Sequence, residues 1–488
     1  MKNVLASNLD FAVTEESNRS LFQPYEAIER ASVATDRDMG GSKGFAFVEI
    51  TDPAEADREH LLKPRRPRCG GGRRINRFCE AELIMLRLII LCLTLSIAAA
   101  GQQSPFCTDC QATRKNLREL CDYILENKRD MPTIFVAGYY MRTLVAGYQV
   151  LGDRRYLDAA LEHGDKLLAK QMPNGYWGTG YGSIYLADTA NALGEILALD
   201  KHADETRRAA YSAALRHFVE AMERDGLIRP SGAIGTGFRA KRDGTITARY
   251  DDDYTISSAL VGGETFVWMY RKTGEDRYRQ IGYRAMNWVL NTIRKDGVIP
   301  YILPGEYANP AVKNDPENDF NLWVRLRYTN VTYAGEGVIS FDLHCDKPEW
   351  RSELHRKFKP VIEFLLRTQN ADGSWGTPKP MIRPDTNRSP WNRRPYSDRR
   401  RSAGAVNVLT WWYLNVKKDA RVLKAVRRFD RFITDPKNAA EFEMLHRRPD
   451  LNKPPEPGAA PHSDADVATA LTGRAIADIL LPGVDAKW

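Results

Sequence analysis

A pattern of twelve residues occurs twice and constrains most of the chain. Leu167-Leu168-Ala169-Lys170-Gln171-Met172-Pro173-Asn174-Gly175-Tyr176-Trp177-Gly178 returns as Leu365-Leu366-Arg367-Thr368-Gln369-Asn370-Ala371-Asp372-Gly373-Ser374-Trp375-Gly376, and both read L-L-x-x-Q-x-x-x-G-x-W-G. Weaker echoes at 222–228 and 293–299 end helical stretches with Asp225-Gly226 and Asp296-Gly297, where glycine supplies a left-handed helix stop. Repetition of this kind predicts a ring or stack of like hairpins that share a core. The helical stretches around it alternate in character. Those near 113–127, 154–170, 203–224, 276–294, 351–368 and 422–433 are charged on one face and apolar on the other, as outer helices are. Those near 134–151, 184–199, 255–272, 332–343, 402–414 and 464–480 are richer in Gly, Ala and small polar residues, as helices packed on both sides are.

At 488 residues, with 43% hydrophobic and 27% charged residues, the chain is too long for one ordinary domain and too apolar for wholesale disorder or a fibrous class. The 71 basic against 63 acidic residues leave +8, which over this length says little about nucleic acid; placement matters more. A single long apolar run excludes a multi-span membrane protein. That run has the three parts of a secretory signal: Met85-Leu86-Arg87, the apolar stretch 88–97, and Ala98-Ala99-Ala100-Gly101. Residues 85–104 therefore read as a signal peptide or signal anchor, with 85–100 as the membrane contact if it is not cleaved. Arg73, Arg74, Arg77 and Arg87 precede the run and 101–112 carries no basic residue, so the positive-inside rule keeps 1–84 in the cytoplasm and exports the rest to the periplasm or the medium. The competing expectation is translation from Met85, with 1–84 a fused remnant.

Of the seven cysteines, Cys107, Cys110, Cys121 and Cys345 follow this segment, which permits two disulfides in three connectivities. Cys107-x-x-Cys110 is also half of a metal site, but nothing completes it. Neither a metal nor a cofactor is expected.

The first sixty residues read strand, helix, strand, strand, helix, at 4–7, 15–25, 28–35, 44–50 and 54–62. Lys43-Gly44-Phe45-Ala46-Phe47-Val48-Glu49-Ile50 resembles the RNP1 octamer of an RNA-recognition motif, and Val4-Leu5-Ala6-Ser7-Asn8-Leu9 stands where RNP2 belongs. Residues 1–58 resemble the small bacterial proteins of that family. The resemblance implies a single-stranded RNA partner: Phe45 and Phe47 as stacking platforms, Lys43 on a phosphate, and Asn8 beside them. Leu5 replaces the aromatic that RNP2 usually carries. The likeness ends near Arg58, so 1–62 is a truncated α+β (βαββα) domain. A basic Gly/Arg linker follows over 63–84, with seven basic residues and no acidic one between 63 and 77.

Six hairpins over 105–488 resemble the all-α (α/α)6 toroid, the six-hairpin fold of many secreted glycosidases and polysaccharide lyases. The Q…G-x-W element is also similar to the triterpene cyclase repeat, but Tyr250 precedes the acidic triple Asp251-Asp252-Asp253 where D-x-D-D would need another Asp. In such toroids the substrate bowl lies at the N-terminal ends of the inner helices. That resemblance singles out Asp252, Asp253 and Glu336 as catalytic acids. Tyr139, Tyr140, Tyr185, Asp188, Tyr254, Tyr333 and Asp464 become substrate contacts, and Arg399-Arg400-Arg401 a uronate contact. Aromatic faces beside paired carboxyls in unlike environments suit glycosidic chemistry, although an Asp at a helix start also serves as an N-cap. Trp177 and Trp375 are expected to plug the repeats. The chain is thus expected to be multidomain: an RNA-binding segment and an exported toroid that acts on a glycan or polysaccharide as hydrolase or lyase. The alternative is a non-catalytic glycan- or protein-binding scaffold behind a non-functional remnant.

Overall fold

The computed structural model describes the backbone of 2–7, 28–35 and 42–50, and residues 104–131, 134–178, 183–241, 245–250, 253–300, 302–303, 327–376, 402–439 and 464–484. The chain divides into two units, Met1–Ala100 and Gly101–Trp488.

In the first unit β1 (Lys2–Ser7), β2 (Ile28–Thr35) and β3 (Ser42–Ile50) form an antiparallel sheet in the order β1-β3-β2. The octamer therefore runs along the central strand. Phe47 stands opposite Leu5 of β1 and Ser32 of β2, and Phe45 opposite Ser7. Their alternate positions share one face of the sheet, because side-chain direction in a strand has period two. The expected helices at 15–25 and 54–62, Asn8, the basic tract and the signal-type run lie outside the described residues.

The second unit is a ring of helical hairpins. Its outer helices are α1 (Cys110–Asn127), α3 (Arg154–Ala169), α5 (Glu205–Arg224), α7 (Asp276–Thr292), α9 (Pro348–Thr368) and α11 (Ala420–Thr434). Its inner helices are α2 (Ile134–Leu151), α4 (Leu186–Leu199), α6 (Thr255–Leu260, running through a π-turn at Val261–Phe266 into Val267–Thr273), α8 (Arg327–His344), α10 (Gly404–Asn415) and α12 (Asp464–Leu480). Each outer helix buries one stripe; on α11 it is Val422, Ala425, Val426, Phe429, Phe432 and Ile433. The inner helices are buried nearly all round, as on α8 from Tyr328 to Asp342, because the outer ring covers one side and their neighbours the other. The ring closes through polar side chains. Thr143 of α2 donates to the Ala470 carbonyl of α12 at 2.9 Å, and Asp430 of α11 accepts from the Thr113 hydroxyl of α1 at 2.7 Å.

The repeat explains how successive outer helices dock. Trp177 donates to the Leu167 carbonyl and Trp375 to the Leu365 carbonyl, each at 2.8 Å, and both rings are buried. Gln171 bridges the Gly175 carbonyl (3.0 Å) and the Ala214 carbonyl of α5 (2.9 Å); Gln369 bridges Gly373 and Ala425 of α11, both at 2.8 Å. Among the described residues the turn itself occurs four times, closed by amide-to-carbonyl bonds from Met172 to Tyr176, Arg229 to Ala233, Arg294 to Val298 and Asn370 to Ser374. Its glycine has φ of 95°, 97°, 85° and 101° at Gly175, Gly232, Gly297 and Gly373. A Cβ there would lie 2.2–2.8 Å from the backbone oxygen of Pro360, Arg428, Arg284 or His217 on the next outer helix. Backbone approach that close admits only glycine. Gly226, with φ 65°, stops α5 as expected, while the docking turn of that hairpin is Arg229–Ala233, with Gly232 in contact.

Of the two disulfides the cysteines permit, one forms. Cys107 and Cys110 are bonded to each other with Cα atoms 5.3 Å apart, while Cys121 and Cys345 are unpaired. Cys121 is fully buried against Gly147, and burial pushes its thiol well above the usual range. No helix among the described residues is long and apolar enough to cross a membrane.

Candidate functional site

The two ends of the toroid differ chemically. At the N-terminal ends of α4 and α6, short strands replace capping loops. β4 (Ser183–Tyr185), β5 (Gly237–Ala240) and β6 (Ile246–Arg249) form one antiparallel sheet, and β7 (Asp253–Tyr254) pairs with β8 (Ile302–Leu303). This sheet brings Tyr185 against Tyr250. The rings stack at 5.4 Å with 13° between planes, and the hydroxyls are 3.2 Å apart. The Arg239 guanidinium lies 5.6 Å from the Tyr250 ring. Arg229, presented by the second docking turn, donates from Nε to Asp253 at 3.1 Å and from Nη2 to the Tyr250 carbonyl at 3.3 Å.

Capping does not account for the acids here. The outer helices α1, α3, α5 and α11 begin with Asp109, Asp153, Asp204 and Asp419, whose side chains accept from helical amides. The helices α4 and α6 begin after Tyr185 and Tyr254 with no side-chain cap bond. Asp188 sits within the first turn of α4 and Asp253 just ahead of α6, both partly exposed.

Other expected contacts lie deeper. Tyr139 and Tyr140 are fully buried; their hydroxyls donate to Asn191 of α4 (2.5 Å) and to Asp466 of α12 (2.7 Å). Burial raises both hydroxyls well above the ordinary tyrosine value, with Glu336 adding to the effect on Tyr139 and Asp466 on Tyr140. They tie inner helices together instead of facing a ligand. Tyr333, 6.0 Å from the Tyr139 ring, and Tyr254 are buried as well. The expected helix start at 332 is five residues late: α8 begins at Arg327, so Glu336 is its tenth residue, about 13 Å down the axis. Asp252 lies outside the described residues, as do the side chain of Asp464 and all of Arg399–Arg401. The side chains of Lys43, Phe45 and Phe47 are likewise outside them.

Glu336 belongs to a buried network that sequence reading missed. Its two oxygens accept from Arg142 of α2 at 2.9 Å and Arg474 of α12 at 2.8 Å. Glu264, in the π-turn of α6, stands 3.7 Å from Arg142. These residues line a cavity of about 30 Å³ together with Asn407, Trp411 and Asp478, room for little more than water. Its lining extends to Leu343 and Asn415 at the C-terminal ends of α8 and α10. The signal that could have found the network is a lone charge in an apolar inner helix, as in Tyr140-Met141-Arg142-Thr143-Leu144. Nearby, buried Asp342 accepts from His355 (2.7 Å), Arg351 (3.1 Å) and Trp411 (3.0 Å). Among the described residues, no three His, Cys, Asp or Glu gather as a metal site.

Comparison with known proteins separates the two units. Residues 4–58 match the family model of the RNA recognition motif. The N-terminal segment is an RNA recognition motif. Over 54 residues it is 35% identical to the RNA-binding protein RbpD of Nostoc sp., a match covering 11% of this chain and 57% of that one. The chain spans about half the length of the first curated relatives it matches. Beyond this motif, the chain is similar in structure to a polysaccharide lyase, with a TM-score of 0.50 and 12% identity over 76% of this chain and 97% of the other. A glycosyl hydrolase of family 88 from Bacteroides vulgatus is a looser likeness, with a TM-score of 0.46 and 13% identity over 75% and 99%. The lyase likeness establishes the α/α toroid and no more, since fold alone does not give activity.

Proposed function

We propose that the toroid is a carbohydrate-active enzyme, hydrolase or lyase, working at the N-terminal ends of α4 and α6. The observation that carries this reading is the Tyr185–Tyr250 stack beside Asp253, whose carboxylate is held by Arg229. A stacked tyrosine pair offers a flat face for the C–H side of a sugar ring. Asp188 and Asp253 are the carboxyls at neighbouring inner-helix ends, and Asp252 belongs to the same acidic triple. Salt-bridged Asp253 suits the ionised role, as base or charge stabiliser, while Asp188 or Asp252 supplies the proton. Glu336 is assigned no proton transfer, because two guanidinium groups occupy its oxygens.

The test is a panel of neutral and acidic oligosaccharides incubated with the full-length protein. New reducing ends report hydrolysis, and new absorbance from an unsaturated sugar reports elimination. Turnover that Asp253→Asn abolishes supports the reading. Glycan binding without turnover leaves a binding scaffold in its place.

For the N-terminal segment we propose single-stranded RNA binding through Phe45 and Phe47, with Lys43 on a phosphate and Asn8 beside them. Residues 85–100 are proposed as the signal that exports the toroid and leaves 1–84 in the cytoplasm. N-terminal masses of the protein from separate cell fractions test this: an exported form beginning near Gly101 supports it, and a full-length cytosolic form overturns it.

A further inference from the structure

The two copies of the repeat build the same joint between outer helices but line it differently. Between α9 and α11 lies a groove of about 360 Å³ lined by Arg367, Arg421, Lys424 and Arg428 together with Glu363 and Leu366. Superposing the repeats through Gln171 and Gln369, and the next helices through Ala214 and Ala425, pairs these four basic residues with Ala169, Ala210, Ala213 and His217. The docking glycines confirm that frame, since Gly373 meets the Arg428 oxygen where Gly175 meets that of His217. The joint between α3 and α5 thus forms with three alanines and a histidine. Docking at the joint between α3 and α5 therefore does not require the four basic residues found between α9 and α11.

Their surroundings leave the groove positive. Arg421 pairs with Glu363 at 2.9 Å and Asp419 at 2.7 Å. Among the described residues Arg367 and Arg428 donate to carbonyls, those of Asp296, Asn370 and Ala371, and neither forms an ion pair with a carboxylate. Lys424 is exposed. Arg421, Lys424 and Arg428 follow i, i+3, i+7 spacing along one face of α11, a line of charge about 10 Å long, and Arg367 faces it from α9. No aromatic ring lines the groove. A single-stranded nucleic acid would lack the stacking surface such ligands use, whereas a chain carrying one carboxylate or sulfate after another needs only the charge.

We propose that this groove on the outer wall is a second binding site, separate from the bowl, for an acidic polysaccharide chain. That the ligand is a glycan rests on the reading given above; that it is a polyanion rests on the groove alone. The test uses the full-length protein carrying Phe45→Ala and Phe47→Ala, applied to immobilised polygalacturonate, neutral dextran and poly(U). The basic tract 63–77 contributes equally to parent and variant, so their difference reads the groove. Arg367→Ala with Lys424→Ala should weaken polygalacturonate binding at least tenfold and flatten its salt dependence. Lys424→Glu alone should act in the same direction, Lys424→Arg should bind like the parent, and dextran should not be retained. Equal affinity of parent and double variant overturns the proposal. So does absence of retention, or a preference for poly(U) that the double variant removes. Binding needs no turnover, so a panel without any turnover would defeat the catalytic reading and leave this result standing.

Discussion

Arg142 and Glu336 meet at 2.9 Å, Nη1 to Oε2, between the first and fourth inner helices, with Arg474 on the other carboxylate oxygen at 2.8 Å. All three side chains are nearly inaccessible. A carboxylate fixed in this way compensates two buried cations, and removing it leaves Glu264, 3.7 Å from Arg142, to face both of them. Glu336→Ala is expected to cost about 3–5 kcal/mol of stability, read as a lowered urea midpoint. A variant with wild-type stability but no turnover would instead make Glu336 a catalytic acid.

Asp253 predicts the opposite pattern. It is partly exposed and held from one side, by Arg229. Asp253→Asn should leave the melting temperature close to wild type while lowering turnover about 10²–10⁴-fold. Steady-state kinetics beside a thermal melt separates the two effects; full activity in the variant removes Asp253 from the mechanism.

The docking glutamines should act independently. Gln171 and Gln369 each bridge two backbone carbonyls, in separate joints. Either Gln→Ala change should cost about 1–3 kcal/mol, from partners left without a donor. The double variant should show the sum within about 0.5 kcal/mol. A double variant no worse than either single change would mean that the joints unfold as one unit.

Asp342 makes a pH prediction. Burial alone would raise its carboxyl, but hydrogen bonds from His355 and Arg351 outweigh that and hold it below the ordinary range. A carboxyl depressed by folding stabilises the protein above its unfolded value of about 3.9 and loses that contribution as pH falls through the folded value. Urea midpoints should therefore show the widest gap between wild type and Asp342→Asn above about pH 5, narrowing below about pH 4. A gap that stays constant across this range would show that the charge is not what matters.

In the RNA recognition motif, Phe45→Ala and Phe47→Ala should each weaken single-stranded RNA binding by about 1–3 kcal/mol per stacked base. Fluorescence anisotropy with a short labelled oligonucleotide measures it, and unchanged affinity in both variants would sink the proposal.

Much of the architecture was legible before any coordinates. Helices with one apolar stripe announced the outer ring, and helices of small residues announced the inner one, because burial on one side or on all sides demands those compositions. The octamer around Phe45 and Phe47 likewise located the central strand β3. The candidate site was less legible. Tyr139 and Tyr185 look alike in sequence, yet one is fully buried against Asn191 and the other stacks on Tyr250 at the rim. The difference arises because Tyr185 leaves a strand just before α4 begins, while Tyr139 lies six residues into α2.

Local sequence determined the elements: turn glycines, Asp caps and hydrophobic periodicity act over a few residues, and the repeat carries its own docking chemistry within twelve. The tertiary structure alone decided which charges neutralise one another. Arg142, Glu264, Glu336 and Arg474 come from four different helices and meet only when the ring closes. Ionic contacts in a closed ring depend on which helices become neighbours across its axis, and no short-range pattern in the chain encodes that.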